Sequence, residues 1–157
     1  MVSLRDGVRT PNDGNQQGKA NGMKNAYQKY KTTSIQSASR EKLLLLMYEG
    51  AIKFTKQALL AAESKQIAER GMAIGRAYDV IMELNNTLDH KVGGEISKNL
   101  EQLYMFMTEQ LTKANLTGDP THLRNVVRVL ETLYDGWQKA VEQLKQKKSE
   151  KPEALKP

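Results

Sequence analysis

Side chains able to make or break bonds are few in this chain and poorly spaced for it. There are two histidines and no cysteine, which removes thiolate nucleophiles, thiolate zinc sites and disulfides. A di-metal carboxylate bundle needs inward glutamates and two Glu-x-x-His pairs. Thr87 stands three residues before His90, and Asp119 three before His122. Asp119 directly precedes Pro120, an arrangement that uses its carboxylate as a helix cap. Glu83, Glu101, Glu109 and Glu131 alternate with Lys and Arg, the pattern of solvated helix faces. No glycine-rich stretch matches a P-loop or a dinucleotide fingerprint. With no nucleophile, base or metal constellation, the chain reads as a non-enzyme without metal or cofactor. Its function must then lie in binding.

A binding surface here has to be carried by helices. Ser39 is a candidate N-cap with Glu41 in the following turn, opening a helix over residues 40–63. At the helical period of 3.6 residues, Leu43, Leu44, Met47, Gly50, Ala51, Phe54, Ala58 and Ala61 share one face. Leu45, Tyr48, Ile52 and Leu59 gather on a second face, one more than an outer bundle helix requires. A helix over residues 66–90 places Ile67, Ile74, Ala77, Ile81, Leu84 and Leu88 in the core, with Val80 and Met82 beside them. Asn85 and Asn86 are weak helix formers within it, and Asn85, near the core stripe, needs a hydrogen-bond partner. His90 and Lys91 would complement that helix's negative C-terminal end, and Gly93-Gly94 would stop it.

The third helix, residues 95–116, packs through Ile96, Leu100, Leu103, Met107, Leu111 and Ala114. This leaves Tyr104 at the edge, Phe106 further round and Met105 nearly opposite. Asp119-Pro120 then starts a fourth helix that runs to residue 147. Its broad apolar face holds Leu123, Val126, Val127, Leu130, Leu133, Tyr134, Trp137, Val141 and Leu144. The expected fold is all-α: an antiparallel up-down four-helix bundle over residues 40–147. Residues 23–39 are expected to form a short helical arm, which would put Tyr27 and Tyr30 on one face. Residues 1–22, an extension before a second candidate start at Met23, and the tail 148–157 are expected to be disordered.

Charge narrows the partner class. The net charge is +6. Residues 1–39 hold six Lys/Arg against two Asp/Glu, residues 40–145 fourteen of each, and residues 146–157 four against two. The basicity belongs to the tails and the bundle is neutral, whereas a nucleic-acid reader clusters cations on its fold. The longest apolar run, residues 43–47, is far short of a membrane span. No apolar signal segment opens the chain. The expectation is a cytoplasmic protein that neither inserts in membranes nor binds nucleic acid.

An ordered set of motifs carries a resemblance. It begins with Asn25, Ala26, Tyr27, Gln28, Lys29 and Tyr30, leading through Ser34 and Ala38. LLLLMYEGAIKF follows at residues 43–54, then RAYDVIMELNNTLD at residues 76–89. Gly93, Gly94, Glu95, Asn99 and Leu100 precede Leu103, Tyr104, Met105, Phe106 and Met107. Ala114, Asn115, Asp119, Leu123 and Trp137 complete it. Over residues 23–145 the chain resembles the flagellar secretion chaperone family FliS. It departs in having Arg40 after Ser39, where that family usually has proline. The resemblance implies a chaperone that binds the amphipathic C-terminal segment of flagellin and prevents premature polymerisation. It also implies delivery of flagellin to the type III export gate by docking on FlhA once loaded.

The surplus apolar stripes suit such a client, since an amphipathic helix can lie in a groove between them. The expected partner-binding residues are Leu45, Tyr48 and Ile52 on the first helix, Met82 and Asn86 on the second, and Tyr104, Met105 and Phe106 on the third. Tyr27 and Tyr30 would act from the arm. The free protein is expected to be a monomer or weak dimer. The alternative is a bundle that self-associates through the same stripes as a scaffold or adaptor.

Overall fold

The first helix is built around alanine. The structure, a computed structural model, describes residues 39–154, with side chains through residue 149. Helix α1, Arg40–Glu63, buries Ala51, Ala58, Ala61 and Ala62 together with Tyr48 and Thr55. The one bulky group of this helix that is fully buried is Tyr48. Leu44, Met47, Phe54 and Leu59 are half-buried against this core. The core stripe therefore lies round from the expected one toward Tyr48, and the expected second face is partly inside. Thr55 stays polar at no cost, because its hydroxyl donates to the Ala51 carbonyl at 2.7 Å.

A tight turn leads to α2, Ile67–Asn86. It places Lys65 at φ 56 and closes with the Gln66 N–H on the Ala61 carbonyl at 2.8 Å. Helix α2 buries Ala73, Ile74, Ala77, Ile81 and Leu84. It ends four residues earlier than the sequence pattern suggests. Asp89, in extended conformation, is an N-cap, and its Oδ1 accepts from the N–H groups of Lys91 and Val92 at 3.0 and 3.1 Å. His90 and Lys91 therefore belong to the first turn of α3, His90–Thr117. Gly94, at φ 51 and ψ −121, does supply a positive φ. It uses it to kink the beginning of α3, which runs straight from Glu95. Two links span the kink: Ser97 Oγ donates to the Asp89 carbonyl at 3.0 Å, and His90 Nε2 pairs with Glu101 Oε2 at 3.0 Å.

Helix α3 stops at Gly118, whose φ of 74 lets its N–H reach the Ala114 carbonyl at 2.9 Å. The Arg70 guanidinium packs on that glycine so closely that a Cβ would stand 2.6 Å from Nη1. The Asp119 carboxylate then accepts from the Thr121 N–H at 2.9 Å and starts α4, Pro120–Ala154. That bond holds the Asp119 carboxyl below its usual range.

Three contacts fix α1 antiparallel to α4: Tyr134 Oη to Glu49 at 2.8 Å, Lys56 to Glu131 at 3.8 Å, and Arg124 to Glu63 at 3.3 Å. The pairing partners descend along α4 as they ascend along α1. Arg70 Nη2 on the Asn115 carbonyl ties the start of α2 to the end of α3, and Gln110 links α3 to α4 through His122 and Asn125. The result is the expected four-helix bundle, its core formed by Ile81, Leu84, Leu100, Met107, Leu111, Leu123, Val126 and Leu130. Ile67 and Ile96, expected inside, stand 70% and 66% exposed.

A candidate helix-binding surface

Tyr48 and Tyr104 are not surface groups. They reach toward each other from α1 and α3 and share a hydrogen bond of 2.6 Å between their hydroxyls, at 0% and 1% exposure. Burial pushes both phenols up. For Tyr104 a charge on Tyr48 would push further. For Tyr48 the Tyr104 hydroxyl and the Trp137 indole partly oppose the rise. Trp137 Nε1 is buried near this pair and has no hydrogen-bond partner among the described residues. The expectation of an exposed contact at either tyrosine is corrected by this pairing. Two hydroxyls that satisfy each other remove the penalty that would have kept each at the surface.

Leu45 and Ile52 stand apart from the rest of the expected site. They fall three or four residues from Glu49 and Lys56, on the flank that those side chains turn toward α4. Both are half-buried, Ile52 against the core. They belong to the α1–α4 seam, which is crossed by hydrogen bonds and ion pairs. Tyr27 and Tyr30 lie outside the described residues.

Met82 and Asn86 stand on α2 and Met105 on α3, two helices that the Arg70–Asn115 bond ties together. The Arg70–Asn115 bond, with Gly71 also facing the Asn115 side chain, shows which flank of α2 meets which flank of α3. Steps of three and four residues carry the α2 flank through Gly75, Tyr78 and Met82, and the α3 flank back through Thr112, Thr108 and Met105. Tyr78 and Met105 are each 39% exposed, and Met82 is half-buried. Gly75 leaves open space where a side chain would stand. Thr108 and Thr112 fold their hydroxyls back onto the carbonyls of Met105 and Thr108, at 2.8 and 2.9 Å. Asn85, on the same flank, buries an Oδ1 that has no hydrogen-bond partner among the described residues. Asn86 is exposed beside it.

Phe106, 40% exposed, is on the other side of α3. It stands one turn from Gln110, whose Oε1 is 3.0 Å from His122 Nδ1 and accepts from Asn125 Nδ2 at 3.2 Å. Phe106 therefore belongs to the α3–α4 seam, with half-buried Leu103, Val129 and Leu133. The expected site thus divides among three seams, two of which flank α3. Sequence reasoning missed Gly75 and Tyr78. Their signal was present, since Gly75, Tyr78 and Met82 repeat at i, i+3, i+7.

The class this fold defines is an all-α four-helix bundle, with Tyr78, Met105 and Phe106 part-exposed on α2 and α3. Among the described residues no group of three His, Cys, Asp or Glu side chains could hold a metal, and no helix is long and apolar enough to cross a membrane. The chain belongs to the FliS family: residues 23–144 match the family described as flagellar protein FliS, a family of flagellar secretion chaperones. It is 35% identical over 119 residues to the flagellar secretion chaperone FliS of Vibrio cholerae serotype O1, covering 73% of this chain and 88% of that one. It is 34% identical over 116 residues to FliSB of Pseudomonas aeruginosa, covering 71% and 92%. A solved structure described as a flagellar chaperone from bacteria shares the fold, with a TM-score of 0.63 at 20% identity over 76% of this chain and 97% of that one.

Proposed function

We propose that this chain is a cytoplasmic export chaperone that holds the C-terminal amphipathic segment of flagellin along the α2–α3 seam. The observation that carries the reading is the part-exposed Tyr78, Met82 and Met105 with an Asn85 oxygen that is unpartnered among the described residues, on a chain of this family. Methionine suits a client helix that must be gripped and later released, because its unbranched thioether adapts to different neighbours. The buried Asn85 oxygen gains a donor when a client amide approaches, which converts an unpaired acceptor into a bond. Phe106 takes a further part of the segment in the α3–α4 seam. The held segment cannot pair with other flagellin molecules, and the loaded chaperone delivers it to the export gate through FlhA.

The test is isothermal titration of the full chain with a flagellin C-terminal peptide. A 1:1 complex that is lost in Met105→Glu with an unchanged circular dichroism spectrum supports the reading. A stable dimer that ignores the peptide supports self-association instead.

A further inference from the structure

The opposite flank of α2 carries a second site. A cavity of about 230 Å3 lies between α1 and α2, lined by Gln57, Glu69, Met72, Ala73 and Arg76. Its floor is apolar: Ala73 is buried, and Met72 is 59% exposed at the rim. Arg76 lies over the Phe54 ring, 6.0 Å from its centroid, which holds the guanidinium against α1. Among the described residues neither Glu69 nor Arg76 has an ion-pair or hydrogen-bond partner, although Glu49, Glu63, Lys56 and Arg124 on the α1–α4 side are all engaged. The two unpaired charges have opposite sign and stand two turns apart on one flank, roughly 10 Å along the axis at 1.5 Å per residue.

We propose that this cavity is a docking site for a partner helix that inserts one bulky apolar side chain between a Lys or Arg and an Asp or Glu. The cation lies beside Glu69 and the anion beside Arg76. The volume suits one large aliphatic or aromatic anchor. Charge complementarity on both sides selects the partner, which is the chief use of charges at the rim of an interface. The site shares no side chain with the α2–α3 seam, so it admits a second protein while flagellin is bound, and it stands whether or not flagellin is the client.

The test uses three helical peptides, identical except at two positions two turns apart on either side of a central leucine. These positions are Lys and Glu, Lys and Lys, or Glu and Glu. The full chain binds the mixed peptide about fivefold more tightly than either of the others, as expected for exposed pairs. Glu69→Arg shifts the preference to the Glu/Glu peptide, and Arg76→Glu shifts it to the Lys/Lys peptide, each with unchanged circular dichroism. Glu142→Arg, the same charge change on α4, leaves the mixed peptide preferred. Equal affinity for all three peptides, or a preference that Glu142→Arg moves as far as Glu69→Arg does, overturns the proposal. So does competition by a flagellin C-terminal peptide, which would put the binding in the client seam. A dimer of the free chain that Arg76→Glu dissociates would make a second copy the occupant and overturn it as well.

Discussion

The Tyr48–Tyr104 pair ties together two helices through a bond between residues 56 positions apart. Removing either hydroxyl leaves the other buried without a partner, which costs about 1–3 kcal/mol. Removing both leaves an apolar contact. Tyr48→Phe and Tyr104→Phe should therefore each destabilise the bundle in urea melts, and the double variant should lose clearly less than their sum. The pair also sets an alkaline limit. Folding raises both phenols above the ordinary value of 10.0, so the folded state keeps protons that the unfolded chain releases. Stability is unaffected below pH 10 and falls as pH rises above it, by up to about 1.4 kcal/mol per pH unit for each tyrosine. Urea melts at pH 9 and pH 11 should show the loss, and it should shrink in the double Phe variant.

At the scale of elements, glycines of similar appearance in the sequence do different work. Gly94 holds a positive φ at the α3 kink, whereas Gly136 sits in regular helix with open space around it. Gly94→Ala should cost about 1–2 kcal/mol, and Gly136→Ala should stabilise by about 0.5–1 kcal/mol. Thermal melts read both signs. The seams differ in the same way. Ile52 packs against the core beside α4, so Ile52→Glu should unfold the bundle or lower its melting temperature sharply. Phe106→Glu should leave the spectrum intact and weaken flagellin binding. The start of α4 at Asp119-Pro120 was legible because it uses local chemistry. The end of α2 was not, because Asp89 as an N-cap and the glycine pair as a helix stop are both reasonable local readings. Only the links from Ser97 and Glu101 to the preceding turn decide between them.

For the whole molecule, the all-α bundle and the family were both readable from apolar periodicity and an ordered set of motifs. The partition of the site was not. A helical wheel places Leu45, Tyr48, Met82, Met105 and Phe106 on faces of single helices. Which faces meet depends on contacts such as Arg70–Asn115 and Gln110–His122, which join distant parts of the chain. With both seams beside α3 open, the free chain should sediment as a monomer and take up one flagellin peptide per bundle. Trp137 gives a way to watch this. It is the only tryptophan in the chain, and its indole N–H is buried beside the tyrosine pair, so its emission is a native optical gauge of the interior. A client laid along the outside should leave the emission wavelength where it is. A client that pries α1 from α3 should shift it to the red as water reaches the ring, so one spectrum separates surface capture from entry into the core.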